Sequence, residues 1–326
     1  MTLHMRKYFL AVFFLVFVSL YPLLHLLLNN ADTNKQNGID QIILNDIDEV
    51  LLVTTAFWNV ESKLGNRSNG SQHYTKRFRT LLNLRTNLAI YSDTEGLSQL
   101  FAARKNHPEA SFIRLVVESE YKDFEPCKSY LSKLSNSPSN YTHPAHVPSI
   151  GLGCIWLSKL WLLQNSVEEL PQYEWHLWLD IGLHIRDGYF IDPARFPNLG
   201  KLKILPKDKL IVSHSGLNGI PRPCRYDEAS DYHFGRFEHN HCITGTSFLI
   251  HRDGLKRVAQ AFQETLMRCL QHFADSDFRV FSVAGNVTNN ASPCMSDQVI
   301  MSHLNPTFIH SINKIGYGAV AYDLLC

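Results

Sequence analysis

One carboxylate, Asp180, follows a run of residues with the alternation typical of a β-strand. Within YEWHLWLDIGLHIR, residues 173–186, every second residue is apolar, and successive side chains of a strand point to opposite faces. The run is longer than most strands, so we expect the strand to end near residues 180–182. Ligands of open α/β sheets bind at the carboxyl ends of the strands, which makes Asp180 a candidate site residue. The alternative is that Asp180 only caps the strand and binds backbone amides.

A lysine on the preceding helix could meet this carboxylate. Residues 150–170 predict a helix that ends before Pro171, and the residues three and four positions away from Lys159 on either side are all apolar. The lysine therefore projects from a face that should be packed. A cation held at the edge of a cleft explains this position, and so does a lysine that snorkels to solvent over its apolar stem.

Three polar residues near the C-terminus complete the set. Asp297 and Gln298 begin a predicted helix over residues 296–304, for which Ser296 is a candidate N-cap, and His310 follows it. Two carboxylates, a lysine and an imidazole suit metal-diphosphate chemistry, in which a divalent cation neutralises a leaving diphosphate. In that chemistry Asp297 could orient or activate an acceptor hydroxyl.

Other residue patterns indicate less. His233, His239, His241 and Cys242 crowd one stretch, but their spacing matches no common zinc pattern, and we favour a His-rich loop over a polar site. The segment SHSG at 213–216 lacks the GxSxG form of a hydrolase nucleophile. The chain has neither GxGxxG nor GxxxxGK[ST], which are the phosphate-binding loops of dinucleotide-binding and P-loop proteins.

Strands and helices alternate along the remaining chain. The segment 120–149 is rich in Pro and Ser and predicts a long loop of the kind that forms lids or binding segments. The alternation predicts an α/β domain with a largely parallel sheet. Strands are expected at 50–53, 87–93, 112–117, 209–213 and 243–250, and further helices at 74–84, 96–105 and 255–270.

The N-terminus predicts a membrane anchor. Residues 8–28 are apolar over about the ~20 residues that a bilayer requires, and Arg6 and Lys7 precede them. We expect an uncleaved signal-anchor with a cytosolic N-terminus. A cleaved signal peptide is the alternative, against which the length of the run and the lack of a small-x-small site argue. The predicted parts are the cytosolic tip with the transmembrane helix, 1–28, a stem, 29–47, and a lumenal domain, 48–326.

Composition agrees with a lumenal domain. The 326 residues carry a formal net charge of +1 and no Lys/Arg block, which argues against a nucleic-acid partner. The seven cysteines form no CxxC pair and predict a few disulfides plus one unpaired thiol, for which Cys326 is the candidate. Glycosylation sequons occur at Asn66, Asn69, Asn140, Asn286 and Asn290.

Taken in order, several of these segments resemble the HtrL/YibB group of glycosyltransferases, which is related to the GT-A superfamily. The resemblance spans nearly the whole predicted lumenal part. It implies a GT-A-like, Rossmann-type, mostly parallel sheet flanked by helices and preceded by one transmembrane helix. The segments are LLVTTAFWNV at 51–60, NLAIYSD at 87–93, WLSKLWLL at 156–163, YEWHLWLDIG at 173–182, the strand opened by Gly245, and SDQVIMSHLNPTFIH at 296–310.

The resemblance also implies an activity. It implies transfer of a sugar from a nucleotide-sugar donor to a glycan or glycoconjugate acceptor, by a single-pass type II protein of the Golgi or endoplasmic reticulum membrane with a lumenal catalytic domain. It implies Mn²⁺ or Mg²⁺ as cofactor. The residues it places are Thr54, Thr55, Asp93 and Lys159 at the donor, Asp180 at the metal, and Asp297 and Gln298 on the acceptor side.

One departure from the superfamily concerns the metal. GT-A enzymes usually carry Asp-x-Asp where this chain has Asp180-Ile181-Gly182, so one metal carboxylate is missing. Metal binding would then depend on His310 or on a solvent ligand. The same departure leaves a second interpretation open, a catalytically inactive relative that binds glycans or a nucleotide sugar.

Overall fold

Seven strands form one mixed sheet in the computed structural model. Their bounds are β1 (Leu51–Phe57), β2 (Thr86–Ser92), β3 (Ser111–Glu118), β4 (Trp175–Leu179), β5 (Leu210–His214), β6 (Ser247–His251) and β7 (Ile309–Ile315). The structure describes residues 50–58, 81, 86–105, 111–125, 127–128, 150–181, 196–217, 220–221, 242–274, 294, 296–315 and 319–321.

Five helices connect or flank these strands in the described residues. They are α1 (Thr94–Lys105), α2 (Ile150–Glu169), α3 (Leu199–Lys203), α4 (Arg252–Ala274) and α5 (Asp297–Ser302). Short 3₁₀ turns lie at Tyr121–Asp123 and Pro306–Phe308, and a small hairpin pairs Gly216–Leu217 with Ile220–Pro221.

The strand order defines where the sheet can bind a ligand. The order is β3-β2-β1-β4-β6-β5-β7, and β6 alone runs antiparallel to its neighbours. The chain builds outward from β1 through β2 to β3, then returns so that β4 pairs with the other side of β1. Such a reversal opens a crevice at the carboxyl ends of the two central strands. The crevice of this sheet therefore lies at the ends of β1 and β4.

Both faces of the sheet are buried, as expected for parallel strands under helices. On one face Leu52, Trp178 and Phe248 join a core cluster with residues of α2 and α4. On the other face Val53 and Leu177 pack with Leu97 of α1 and other apolar residues. The strongly apolar sequence of α2 follows from this position, because the helix packs directly on the sheet.

The structure agrees with most predicted elements and differs at several, including α3, which was not predicted. β4 ends at Leu179, so Asp180 is the first residue beyond the strand, as the alternation predicts. The Gly245 strand begins later than predicted, at Ser247, and β7 was not predicted at all. Ser296 occupies the N-cap position of α5, but its side chain makes no capping hydrogen bond.

Several predictions lie outside the described residues. These are the transmembrane segment, the stem, the five sequons, the three histidines at 233, 239 and 241, Gly182 and Cys326. Within the described ranges, no helix combines the length and apolar character needed to cross a bilayer.

Among pairs with both cysteines in the described residues, two disulfides connect to helices that pack on the sheet. Cys127 pairs with Cys154 in α2, and Cys269 in α4 pairs with Cys294, three residues before Asp297. The prediction that cysteines form disulfides is confirmed for these pairs, whose partners the sequence could not assign. Each disulfide restrains the backbone near a candidate site residue, Lys159 for the first and Asp297 for the second.

Candidate functional site

Lys159 lies at the centre of a buried polar cluster at the carboxyl edge of the sheet. Its ammonium Nζ is 2.8 Å from Asp180 Oδ1 and 2.9 Å from Asp297 Oδ2, and it donates a hydrogen bond of 2.7 Å to the Gly245 carbonyl. Only 3% of the lysine is exposed. The snorkelling interpretation is therefore wrong, because the head group is buried among oxygens. We call Lys159, Asp180, Asp297 and the Gly245 carbonyl the lysine cluster.

Asp180 is the most accessible side chain of the lysine cluster. Its side chain is 24% exposed, whereas that of Asp297 is 4% exposed. The indole Nε1 of Trp178 donates a 2.6 Å hydrogen bond to Oδ1, and the Asp180 backbone N–H bonds Thr246 O at 2.9 Å. Trp178 and Asp180 are two residues apart at the end of a strand, so they share a face. The indole and the ammonium therefore fix one carboxylate oxygen and leave the group open on one side.

Asp297 reaches the cluster because residue 245 has no side chain. A Cβ at Gly245 would overlap Asp297 Oδ2 and would come 2.8 Å from Cγ. Asp297 is the first residue of α5, and α5 packs on both α2 and α4. The antiparallel course of β6 brings Gly245 to the same edge as the end of β4. The glycine is thus required for the close approach of the carboxylate to the backbone.

Burial and charge act against each other in this cluster. Burial raises the pKa of Asp297 to about 6, although the Lys159 ammonium and the Gln298 backbone N–H lower it. Burial alone would lower the pKa of Lys159, but Asp180 and Asp297 outweigh it and raise that pKa above its ordinary value. Lys159 is therefore a permanent cation, and Asp297 is a carboxyl group that can change its charge near neutral pH.

Thr54 joins a different network from the lysine cluster. Its hydroxyl donates to Ser166 Oγ at 3.3 Å, and Ser166 also lies 2.9 Å from the Tyr91 hydroxyl. Ser166 is two helical turns beyond Lys159, or roughly 10 Å along α2. Burial is the main cause of the raised pKa of Tyr91. This hydroxyl network holds α2 against β1 and β2, which is a structural role.

The other two predicted donor residues are also apart from the cluster. Thr55 faces the opposite side of the sheet from Thr54, is fully buried, and its hydroxyl has no hydrogen-bond partner among the described residues. Asp93 caps α1, because its Oδ1 accepts a 2.7 Å hydrogen bond from the Gly96 N–H. The structure therefore brings Lys159 to Asp180 and Asp297 but does not bring these threonines or Asp93 to them.

Gln298 and His310 have different positions relative to the cluster. Gln298 is half-buried next to Asp297, and its carbonyl accepts from the Ser302 hydroxyl. His310 is the second residue of β7, in register with Ile211 near the start of β5. Through Leu249 of β6, the register places His310 level with Leu177 in the middle of β4. It lies three strands from β4, a lateral separation of roughly 14 Å. The structure does not bring His310 to Asp180.

The residues of the cluster do not fit a divalent cation. Mg²⁺ binds oxygen at ~2.0–2.1 Å and Ca²⁺ at ~2.3–2.6 Å, so an ion shared by the two carboxylates would need the space that Nζ fills. In the described ranges, no group of three or more His, Cys, Asp and Glu side chains is arranged to hold a metal. The two carboxylates that converge here already share one ammonium.

Two members of the arrangement were missed from the sequence. The Gly245 carbonyl and the Trp178 indole hold Lys159 and Asp180, yet only their positions on strands were recognised. A usable signal existed for Trp178, since alternation places it on the same face as Asp180. For Gly245 the signal was a glycine just before a strand, which often marks a close approach of another group.

Comparisons with known proteins give no family for this chain. No family model matches the chain and no curated protein matches its sequence, so the HtrL/YibB resemblance is not confirmed. Among solved structures, mouse xyloside xylosyltransferase 1 in its apo form is similar at a TM-score of 0.41 and 11% identity, covering 82% of this chain and 85% of that chain.

Two further solved structures are similar over most of the chain. A glycosyltransferase involved in glycosylation of the major capsid of PBCV-1 gives a TM-score of 0.33 at 11% identity, covering 84% of this chain and 88% of that one. The 4-diphosphocytidyl-2C-methyl-D-erythritol synthase from Anaerococcus prevotii gives 0.32 at 10%, covering 80% and 99%. At these scores the likeness carries no argument about the reaction.

Proposed function

We propose that this chain is a nucleotide-sugar-dependent glycosyltransferase with a GT-A-like domain, acting on a glycan or glycoconjugate acceptor. The observation that carries the proposal is the position of Asp180, a partly exposed carboxylate at the end of β4, where the strand order reverses. Mostly parallel strands flanked by helices are consistent with the fold that the sequence resemblance implies. The crevice at this reversal is where such a sheet binds ligands.

The chemistry of the cluster suits sugar hydroxyls. A carboxylate accepts hydrogen bonds from hydroxyl groups, and Asp180 offers one partly open to solvent. Trp178 and Lys159 hold the same carboxylate in one orientation, so it is preorganised before a ligand arrives. Asp297, with a pKa near 6, is suited to accept a proton close to neutral pH, as a general base for an acceptor hydroxyl must. Gln298, adjacent and half-buried, would contact the acceptor.

Location forms part of the proposal. The apolar run at 8–28 with its basic flank supports a type II anchor in the Golgi or endoplasmic reticulum membrane. The disulfides Cys127–Cys154 and Cys269–Cys294 fit an oxidising, lumenal compartment for the domain. Glycosidase treatment of the expressed chain should increase its gel mobility, and a mature N-terminus near residue 30 would contradict the anchor.

A second function is favoured by one observation. Asp297 is almost completely buried and paired with Lys159, so an acceptor hydroxyl must displace part of the cluster to reach it. A module that binds a nucleotide sugar or glycan through Asp180 alone, without transfer, would need no such displacement. Donor hydrolysis or transfer by the purified protein separates the two functions.

The test is a donor screen with a matched pair of variants. A nucleotide sugar at ~100 times its Kd should stabilise the protein by roughly 2.7 kcal/mol, which thermal unfolding detects. The Asp180→Asn variant should weaken the best donor by about ten- to a hundredfold, because a hydrogen bond to a charged group contributes ~1.5–3 kcal/mol. Asp208→Asn is the control, since Asp208 is an exposed carboxylate just before β5, at the amino edge.

Each outcome has a distinct meaning. Donor binding and transfer that both fall in Asp180→Asn and persist in Asp208→Asn support the proposal. Donor binding without hydrolysis or transfer favours the binding module. A folded protein that no nucleotide sugar stabilises, with equal behaviour of both variants, would overturn the assignment of this edge as a donor site.

A further inference from the structure

We infer that Lys159 is the resident cation of this site, and that its ammonium holds Asp180 and Asp297 in the arrangement that a divalent metal would otherwise impose. The inference deepens the proposed function, on which its catalytic consequence rests. The part of the inference that is independent of that function is that the lysine cluster does not bind divalent cations. The site should therefore neither bind nor need a divalent cation.

The first step of the argument is geometric. Three oxygens surround Nζ at 2.7, 2.8 and 2.9 Å, one each from Gly245, Asp180 and Asp297. The contact to Gly245 is a hydrogen bond, and the contacts to the two carboxylates are ion pairs. The Trp178 ring adds a fourth contact, with its centroid 5.6 Å from Nζ, within the range of a cation–π interaction. A cation enclosed by three oxygens and an aromatic ring is a built-in component of the site.

The second step concerns the sequence separation of the parts. Lys159 is in the middle of α2, Asp180 follows β4, Gly245 precedes β6 and Asp297 begins α5. Three other elements therefore contact the ammonium that α2 carries. Asp297 fits beside Gly245 only because Gly245 lacks a Cβ. A lysine buried by accident would not have two carboxylates and a carbonyl directed at it from three different elements.

The third step concerns charge. A divalent ion bound to Asp180 and Asp297 would lie beside the ammonium, and like charges a few Å apart repel by several kcal/mol at the effective dielectric of a protein edge. The lysine therefore excludes the metal both by its volume and by its charge. The Asp180-x-Gly182 sequence agrees, since the second carboxylate of a metal pair is absent where the resemblance implies it.

A consequence follows for Asp180. With no metal between them, a carboxylate and a diphosphate repel, so the open side of Asp180 suits the hydroxyls of a sugar and not the phosphates of its nucleotide. Lys159 then acts as a positioning residue, because it is too buried to touch the ligand and acts through the carboxylates. The substrate class at this position is a polyhydroxylated ring.

The experiment removes the ammonium and asks whether a metal takes its place. Mn²⁺ binding is measured directly by electron paramagnetic resonance, together with thermal unfolding with and without Mn²⁺. Wild type should show no site and no shift of its melting temperature. Lys159→Ser leaves two carboxylates and space, and should bind Mn²⁺ at least about tenfold more tightly than wild type and gain thermal stability from it.

Matched variants keep the result interpretable. Lys159→Ser combined with Asp297→Asn removes one carboxylate and should lose most of the acquired Mn²⁺ affinity. Lys256→Ser removes an exposed lysine of α4 and should behave as wild type toward Mn²⁺. If Lys159→Ser does not fold, wild type and Asp180→Asn still decide, because Mn²⁺ binding by wild type that Asp180→Asn abolishes would overturn the inference.

Activity separates this inference from the proposed function. Transfer that continues in EDTA at the wild-type rate supports the inference, and transfer that EDTA abolishes and Mn²⁺ restores overturns it while the glycosyltransferase assignment stands. Failure to find any donor overturns the proposed function, and the Mn²⁺ measurements then decide the role of Lys159 alone.

Discussion

Strand β4 has polar groups at both ends of one face, and the charges of these groups are accommodated in different ways. At the carboxyl end, Asp180 and Asp297 remain near a buried lysine, and opposite charges compensate one another. At the amino end, His176 is fully buried and has no ion-pair partner within the described ranges, and burial lowers its pKa to about 4. One end is a charged cluster, and the other is a neutral imidazole.

The difference shows which end can carry chemistry. A buried imidazole without a counter-ion simply loses its proton, which costs nothing at neutral pH and leaves an inert group. A buried lysine with two carboxylates keeps its charge only because three other elements converge on it. Such an arrangement requires side chains from several elements to meet at one point. Ligands of this sheet type bind at the same end of the strands. The following predictions test this comparison.

The largest effect is expected when the compensating cation is removed. Lys159→Met keeps most of the aliphatic stem but leaves two carboxylates without their partner. Breaking a buried ion pair in this way typically destabilises a protein by ~3–5 kcal/mol. Urea unfolding at pH 8 should show this loss, and the loss should be smaller at pH 5, where Asp297, with a pKa near 6, takes up a proton.

The control for this variant is Lys256→Met. Lys256 is exposed on α4, so its replacement should change the free energy of unfolding by little at either pH. Equal stabilities of the two variants would mean that the ammonium does not hold the carboxylates together, and the contrast between the two ends of β4 would disappear.

A smaller effect is expected at the amino end when the pH falls. The pKa of His176 is about 4 in the folded protein and near 6.5 in the unfolded chain, so the unfolded chain binds more protons between these values. Stability is therefore fully present above pH 6.5 and is lost as the pH falls toward 4. A difference of this size corresponds to about 3 kcal/mol. His176→Gln should flatten this part of the stability profile measured by urea unfolding.

His310→Gln provides the comparison for that profile. His310 is only partly buried on β7, and burial and Lys209 lower its pKa. Its variant should retain most of the wild-type loss of stability between pH 6.5 and 4. A wild-type profile that is flat over this range would show that His176 is solvated or paired in solution.

Local patterns in the sequence predicted the strand end and the helix that carry the cluster. Alternation in 173–186 predicted β4, and the usual length of strands placed its end near residues 180–182. The apolar neighbours of Lys159 placed it on a packed helix face but left a snorkelling lysine open. These properties depend on periods of 2.0 and 3.6 residues, which a sequence displays directly. Fold class followed from the same periods, because alternating strands and helices admit few architectures.

Long-range placement could not be predicted in the same way. The contact between Lys159 and the Gly245 carbonyl spans 86 residues and depends on β6 entering the sheet antiparallel beside β4. Periodicity says which face a residue takes but not which strand becomes its neighbour. For that reason His310 was grouped with Asp180, although register places it near the start of β7. Thr54 and Asp93, which the resemblance places at the donor, hydrogen-bond a helix hydroxyl and a helix N-terminus, and these partners were not predicted either.

The smallest effect is expected for Glu174, the more distant of two carboxylates near His251 at the amino end. Glu174 has a side chain that is 47% exposed, and its Oε2 lies 4.0 Å from His251 Nε2, the outer limit of an ion pair. Burial lowers the pKa of His251, so at neutral pH the imidazole carries little charge for Glu174 to compensate. Exposed pairs contribute ~0–1 kcal/mol even when both groups are charged, so Glu174→Gln should change the free energy of unfolding by less than about 0.5 kcal/mol at pH 7.

Urea unfolding of Glu174→Gln and of Asp180→Asn under identical conditions gives the sharpest comparison. Both substitutions remove one carboxylate next to β4, but only Asp180 neutralises a buried cation, so only Asp180→Asn should lose measurable stability. A loss in Glu174→Gln as large as that in Asp180→Asn would show that accessibility and charge state do not distinguish the two ends of the strand.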